Sequence, residues 1–420
     1  MSTQNFRHGG RLAIRVAIAA VFFAFTFAGG AVAHAQATET IIYSFTGTTG
    51  QTPTAGLVSD AAGNLYGTTY NGGVNGDGAL FELSPVAGGG WTYQLLHSFN
   101  RHVDGGFPSG TLIFDVAGNL YGTLSTLGPV GSGAAFEFSP AAGRTWVETV
   151  LHHFGVGKDG AIVPAGLTLD AAGNLYGTTE EGGEYGFGTV FELSSQGGGS
   201  WKEKILHNFN KNGKDGINPI SSVAVDAAGN VYGTTQRGGS KNGGGIVFEL
   251  SPTPVGAWTE KLLLTFEYGG KSPYFPRAGM IFDAAGNLYG TTFSGGLYAY
   301  GTVFELSPSA GGGWSAHLLY SFNPSGDSGD QPEANLIVDS AGNLYGTTNR
   351  GGVNGVGTVF ELSPQGDGSW TETTLHAFSE GTGDGYQSVG SLVRDAAGNL
   401  YGTTSYGGAT GRGIIFEVTP

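Results

Sequence analysis

The chain has no cysteine, which excludes disulfides, thiolate metal sites and a thiol nucleophile. Its stability has to come from a large core without covalent staples, and the chain is long enough to bury one. Positive charge is scarce: 18 Lys and Arg stand against 33 Asp and Glu, a formal net charge of −15. A phosphate-binding surface needs the opposite sign, so nucleic acid and anionic membranes are not expected as partners, while cations and neutral glycans stay open. There is no Ser-His-Asp spacing, no His-Glu-x-x-His and no other recognisable catalytic motif. Glycine runs match nucleotide-loop spacing by chance only, because they lack the required lysine and the strand-to-helix context.

The N-terminus carries Arg7, Arg11 and Arg15 with no acid, then an uncharged run over residues 16–28, then Ala33-His34-Ala35 before Gln36. This reads as a secretory signal peptide over residues 1–35, with cleavage after Ala35. The alternative is an uncleaved anchor, since the apolar stretch extends to Ala33 and approaches the roughly 20 residues that span a bilayer. The upstream arginines place the rest of the chain outside in either case. Cleavage removes three of the 18 basic residues and no acid, so the mature net charge is 15 minus 33, or −18. The expectation is a secreted or periplasmic monomer that has no membrane contact after cleavage.

Glycine is abundant, at 79 of 420 residues, without a collagen period and interleaved with Leu, Val, Phe, Tyr and Trp. The reason is a repeat. Asp60-Ala-Ala-Gly-Asn-Leu-Tyr-Gly-Thr recurs, almost letter for letter, at Asp115, Asp170, Asp226, Asp283, Asp339 and Asp395, giving seven units spaced 55 to 57 residues apart. Length alone suggests two or three domains, but the repeat leaves no linker, so residues 36–420 read as one domain. A unit of this size cannot bury its apolar face alone and has to stack on its neighbours.

The third unit predicts four strands, over residues 166–170, 174–179, 188–194 and 201–209. Gly173 closes a tight hairpin between the first two, and Asp170 is a turn residue bonding local amides. Six units end in a strand running from Trp to Phe eight residues later, as in Trp370 to Phe378. The seventh lacks it, but Ala37-Thr-Glu-Thr-Ile-Ile-Tyr-Ser-Phe45 aligns with Trp370-Thr-Glu-Thr-Thr-Leu-His-Ala-Phe378. A ring needs this offset, whereas a linear solenoid needs caps. The prediction is an all-β, seven-bladed β-propeller closed by the N-terminal strand.

The pattern Gly-Asn-Leu-Tyr-Gly-Thr-Thr followed by Gly-Gly-x-x-Gly-x-Gly-Thr-Val-Phe-Glu-Leu-Ser-Pro resembles the GloVer tandem-repeat family of exported bacterial proteins, over essentially all of residues 37–420. The resemblance implies propeller-like repeats and export, and no particular activity. Family members often carry a C-terminal surface anchor; no such tail precedes Pro420, so cell-wall attachment is not expected.

In a four-stranded blade the loops between strands two and three share a face with the linkers between blades, and loops on a rigid scaffold carry function. One loop class is Gly-rich, at 71–78, 180–188 and 294–301; the linkers hold Asp104, Asp159, Asp215 and Asp384, with Ser272 in the fifth blade's linker and Asp327 and Asp330 in the sixth's. These aspartates could coordinate a cation over the channel mouth, calcium included, but none has the spacing of a calcium loop and turn capping explains each. Histidines recur at 97, 152, 207 and 376; on outer strands of separate blades they would stand too far apart to share one ion. The glutamate of each Phe-Glu motif, as in Glu82, Glu137 and Glu192, reads as a structural group bonded between blades.

Departures from the repeat mark the candidate site. Glu180, Glu181 and Glu184 cluster beside Tyr185 and Phe187, and Tyr298 and Tyr300 decorate another loop, with Tyr70 and Tyr406 in the same loop class. Rings beside carboxylates suit sugars, whose C–H faces stack and whose hydroxyls bond carboxylates. The alternative is a set of solvated loop residues. The expected function is non-enzymatic binding of a polysaccharide or a cell-surface partner through Glu181, Tyr185, Phe187, Tyr298, Tyr300 and the linker aspartates. The competing expectation is a carbohydrate-active hydrolase or lyase using the acids of residues 180–184.

Overall fold

Leu-Tyr-Gly-Thr-Thr, the most constant part of the repeat, forms a wholly buried strand in five blades, for example Leu65–Thr69 and Leu175–Thr179, and in the second blade Leu124 replaces the last threonine. In the fourth blade Val231 replaces the leucine. The computed structural model describes residues 37–420 except 127–130, 144, 156–157, 324–325 and 382, so the expected leader lies outside the described residues. Each repeat yields a four-stranded antiparallel sheet, to which the second blade adds the linker strand Gly106–Pro108. In the third blade the order is Thr168–Leu169, Leu175–Thr179, Thr189–Gly197 and Ser200–Asn208, with the sequence order kept in space. The first strand pairs over only two residues, shorter than predicted, because it lies innermost, where the seven blades converge on the axis.

A glycine sits mid-strand in every second strand because the third strand's phenylalanine lies across it. A Cβ at Gly177 would stand 2.5 Å from Phe191 Cζ and 3.0 Å from Leu167 Cδ2. The turn reading of the repeated aspartate holds. Asp170 Oδ1 accepts the Ala172 and Asn174 amides, while Oδ2 accepts Asn174 Nδ2 and the Tyr176 hydroxyl. Its partner Gly173 has φ +86°, in the region that glycine enters without strain. The Phe-Glu glutamates do not bond between blades as expected. Glu82 accepts from Ser84 two residues on, as do Glu137, Glu305 and Glu361 from the equivalent serines. The register sets this, because Glu82 stands opposite Tyr66 of its own blade.

The ring closes as the offset predicts. Thr38–Ser44 pairs antiparallel with Ile414–Thr419 and supplies the fourth strand of the seventh blade. Seven apolar clusters follow, one at each junction, each built from two neighbouring blades. The cluster at the closure joins Phe45, Tyr401 and Ile415 to Leu57, Leu65, Phe81 and Leu83. The tryptophan that opens a fourth strand packs edge-on against the second-strand tyrosine of the preceding blade. Tyr66 and Trp146 are 5.9 Å apart, and Tyr401 and Trp91, across the closure, 5.8 Å. Contact between rings in this geometry adds to simple burial.

The linkers and the loops between strands two and three do share one face: Gly160–Ala161 of a linker pairs with Glu181–Gly182 of a loop, and three further linkers repeat the pairing. One residue per linker is left-handed although it is not glycine: Thr52, Phe107, Ile162, Asn218, Phe275, Gln331 and Gln387, with φ between 55° and 60°. Such backbone costs energy and persists only where surroundings demand it. Here each residue clasps two blades. The Asn218 amide donates to the Phe187 carbonyl of the preceding blade, and its own carbonyl accepts the Gln236 amide.

Candidate functional site

Each fourth strand carries a β-bulge at the same point, for instance between the pairs Phe81↔Leu95 and Leu80↔His97. A bulge adds one residue and re-aims the side chains beyond it. Past the bulge come the recurring histidines, and each points to the junction with the next blade. His97 Nε2 lies 2.9 Å from Asp104 Oδ2 and 3.6 Å from Glu148 Oε2. His152 repeats this with Asp159 at 3.0 Å and Glu203 at 3.7 Å, and His207 with Asp215 at 3.2 Å and Glu260 at 3.8 Å. His376, Asp384 and Glu39 form the fourth cluster, between the sixth and seventh blades, with Glu39 supplied by the N-terminal strand. The linker aspartates are therefore held at the junctions beside the outer strands, not around the channel mouth. The histidines do not meet one another, as expected, but each meets two carboxylates.

The third member of each cluster was missed in sequence. Glu39, Glu148, Glu203 and Glu260 stand two residues after the start of the Trp-to-Phe stretch, a recurrence that was visible once the blades were aligned. Burial pushes these carboxyls up, with the neighbouring aspartate adding to it. Glu203 reaches about 8, and Glu39, Glu148 and Glu260 about 7. Burial works against Asp104 as well, but His97 and the Asn100 amide hold it below the ordinary carboxylate range. His207 is raised against its burial by Asp215 and Glu260.

The structure brings two predicted residues together at the third junction. Tyr185, with 49% of its surface exposed, lines a cleft of about 350 Å³ that also holds His207, Asp215 and Glu260. Asn208, Asn210, Asn212 and Lys214 complete its polar wall. The loop is pinned from below, since the Glu184 amide donates to Asn208 Oδ1. Glu184 also pairs with Lys158 at 3.2 Å. Phe187 is partly buried against the junction core, Glu181 is exposed, and the Glu181 carbonyl accepts from Thr179.

Tyr298 and Tyr300 belong to the equivalent loop of the fifth blade, 45% and 40% exposed. They adjoin a different junction, where Tyr320 and Ser328 replace the histidine and aspartate. Tyr70 lies tilted against Phe107 at 5.2 Å, and Tyr406 stacks on Tyr386 at 5.5 Å.

The central channel, about 780 Å³, is lined by residues in or just before the first strand of all seven blades. Asn335 links blades across it, with Nδ2 donating to Ser222 Oγ at 3.0 Å and Oδ1 accepting the Gly279 amide at 2.6 Å. Glu180, Arg277 and Glu333 also line this cavity. Arg277 pairs with Glu333 at 3.2 Å and lies over Phe293 at 3.8 Å. Burial and then Glu181 raise the Glu180 carboxyl above its ordinary value. Among the described residues no helix is long and apolar enough to cross a membrane.

The repeat itself decides kinship. The model of the Gloeobacter/Verrucomicrobia repeat matches residues 19–247 and 226–420. The chain belongs to this family. No curated protein matches this repeat propeller. Among solved structures it is similar in fold to a putative 6-phosphogluconolactonase from Bacteroides uniformis, with 15% identity, a TM-score of 0.52, and 85% of this chain and 98% of the other covered. It is also similar to an ancestral GH74 enzyme, with 13% identity, a TM-score of 0.54, and 87% of this chain covering 48% of the other. At such identities the likeness is one of fold alone.

Proposed function

We propose that this repeat propeller is an exported, non-catalytic binding protein that takes a polysaccharide on its loop face, at the cleft between the third and fourth blades. The observation that carries the reading is the half-exposed Tyr185 ring standing beside Asn208, Asn210, Asn212 and Lys214. An aromatic platform next to amide donors and acceptors is what a sugar ring needs, with one apolar face to stack and hydroxyls to bond at its edge. A second platform, Tyr298 with Tyr300, stands two blades away and would extend contact along a chain ligand.

Co-sedimentation with a panel of insoluble polysaccharides tests the reading. Tyr185→Ala is expected to weaken the bound glycan by about tenfold, the loss of roughly 1.4 kcal/mol of stacking, with the melting temperature unchanged. Unchanged retention in Tyr185→Ala and in the Tyr298→Ala/Tyr300→Ala pair sinks it; a surface protein captured instead would move the partner class. Glu180 favours the catalytic alternative, because a raised carboxyl beside a second acid suits a general acid. Release of reducing ends that stops in Glu180→Gln would establish that reading in place of binding alone.

Export rests on the leader motif. Intact mass of protein recovered from medium or periplasm is expected to begin at Gln36, and a product keeping residues 16–28 in the membrane fraction would favour the anchor.

A further inference from the structure

Four of the seven blade junctions carry the same cluster of one imidazole and two carboxylates, and we propose that each binds a divalent first-row transition ion, with Zn²⁺ the best-suited occupant. The clusters are His97, Asp104 and Glu148; His152, Asp159 and Glu203; His207, Asp215 and Glu260; and His376, Asp384 and Glu39. A histidine nitrogen with two carboxylate oxygens is a donor set that zinc and its neighbours accept, whereas calcium takes oxygen alone.

The geometry fits an ion. Metal–ligand bonds of about 2.0–2.1 Å place neighbouring ligand atoms about 2.8–3.0 Å apart in an octahedral shell and about 3.3–3.4 Å apart in a tetrahedral one. In the three clusters on residues 97–260 the His–Asp separations are 2.9, 3.0 and 3.2 Å and the His–Glu separations 3.6, 3.7 and 3.8 Å. The His–Asp spacings fall inside that span and the His–Glu spacings a few tenths of an ångström beyond it, with all three ligand atoms of each cluster within 4.8 Å of one another, so a small inward movement of the glutamate would complete three corners of a shell. Water from the loop face would supply the rest.

A second observation points to something more than an ion pair. In all four clusters the glutamate has a buried oxygen with no hydrogen-bond partner: Oε1 of Glu39, Glu148, Glu203 and Glu260. Asp215 Oδ1 is likewise unpartnered, on a side chain only 8% exposed. A buried carboxylate oxygen left unpaired is costly, and here the cost recurs at each copy of the cluster. The oxygen nearest the histidine is Oε2 in Glu148 and Glu203 and the unpartnered Oε1 itself in Glu260, so a divalent cation held by both glutamate oxygens would satisfy the unpaired one and balance two negative charges.

The remaining junctions serve as internal controls. At the fifth, Tyr320 faces Ser328 at 3.3 Å and Glu372 at 3.4 Å. At the fourth, Leu264 and Ala316 line an apolar recess together with Ser272. At the closing junction Tyr43 stacks on Tyr93 at 4.3 Å. None of these brings a histidine and two carboxylates together, so among the described residues the count is four.

The experiment strips the purified full chain with a chelator, reloads it with excess Zn²⁺, desalts it and counts metal by plasma mass spectrometry. About four equivalents per chain are expected, with a melting temperature that rises with Zn²⁺ and falls back on chelation. Glu148→Gln and Glu203→Gln keep the side-chain volume and are each expected to lose about one equivalent, while Glu372→Gln keeps all four. A near-ultraviolet circular dichroism spectrum like that of the parent verifies that each variant is folded. Fewer than one equivalent in the parent, or an unchanged count in both glutamine variants, would overturn the proposal and leave junctions closed by protons alone. No glycan enters the measurement, so this inference and the polysaccharide reading fail separately.

Discussion

Removing residues 37–45 tests whether the ring depends on its borrowed strand. Phe45 is fully buried, 5.3 Å from the Phe81 ring of the first blade and 5.2 Å from Tyr43. Truncating such a ring, Phe45→Ala, costs about 3–5 kcal/mol, a large part of the roughly 5–15 kcal/mol that holds a domain together. Deleting the whole strand removes that ring, the partly buried Ile42 and Tyr43, and the pairing that runs from Thr38↔Thr419 to Ser44↔Ile414. It also uncovers Ile415 and leaves Ile414–Thr419 as an open edge. The deletion is therefore expected to lose cooperative unfolding, and Phe45→Ala to lower the melting temperature by about 4–6 °C. A permuted chain supplies the decisive comparison. Pro85 and Trp91 are paired across residues 86–90 in the first blade, and Pro420 and Ala37 are their counterparts in the seventh. Joining Pro420 to Ala37 through a copy of residues 86–90 should restore the parent melting temperature within a few degrees by calorimetry. A deletion that melts like the parent, or a permuted chain no more stable than the deletion, would refute the closure argument.

Two glycines of one blade should fail for different reasons. Gly177→Ala drives a Cβ to 2.5 Å from Phe191 and is expected to cost about 1–3 kcal/mol by overpacking. Gly173→Ala has nothing within 4 Å but a φ of +86°, so its cost of about 1–2 kcal/mol comes from the backbone; urea midpoints measure both, and a neutral Gly177→Ala would contradict the packing. Acid should unfold the ring through its turns. Burial opposes ionisation of Asp115, Asp170, Asp283, Asp339 and Asp395, yet hydrogen bonds from the asparagine four residues on keep each below its ordinary value. Folded values below unfolded ones mean stability that is present above about pH 4 and lost as the pH falls through the depressed values. Urea midpoints from pH 5 to pH 2 should fall accordingly, and a flat profile would show that these bonds do not differ between folded and unfolded chains.

The seven-fold pattern made the architecture legible, because a repeat that cannot bury its own apolar face leaves stacking as the only solution, and the offset strand at 37–45 required the stack to close. Turn chemistry was legible for the same local reason: Asp170, Gly173 and Asn174 determine their hairpin among themselves. Relations across blades were not. The glutamates of the Phe-Glu motif looked like bridges, and only the pairing of Glu82 with Tyr66 turned them inward to their own sheet. His207, Asp215 and Glu260 lie 8 and 45 residues apart in sequence, and they meet because a bulge re-aims the histidine and the next blade presents its glutamate at the junction. The left-handed backbone at Ile162 and Phe275 has no signature in residue type, since β-branched and aromatic side chains avoid it and only the two blades clasped there enforce it. The residues that join one blade to the next are therefore chosen by tertiary placement, while those that shape a blade are chosen by neighbours in the chain.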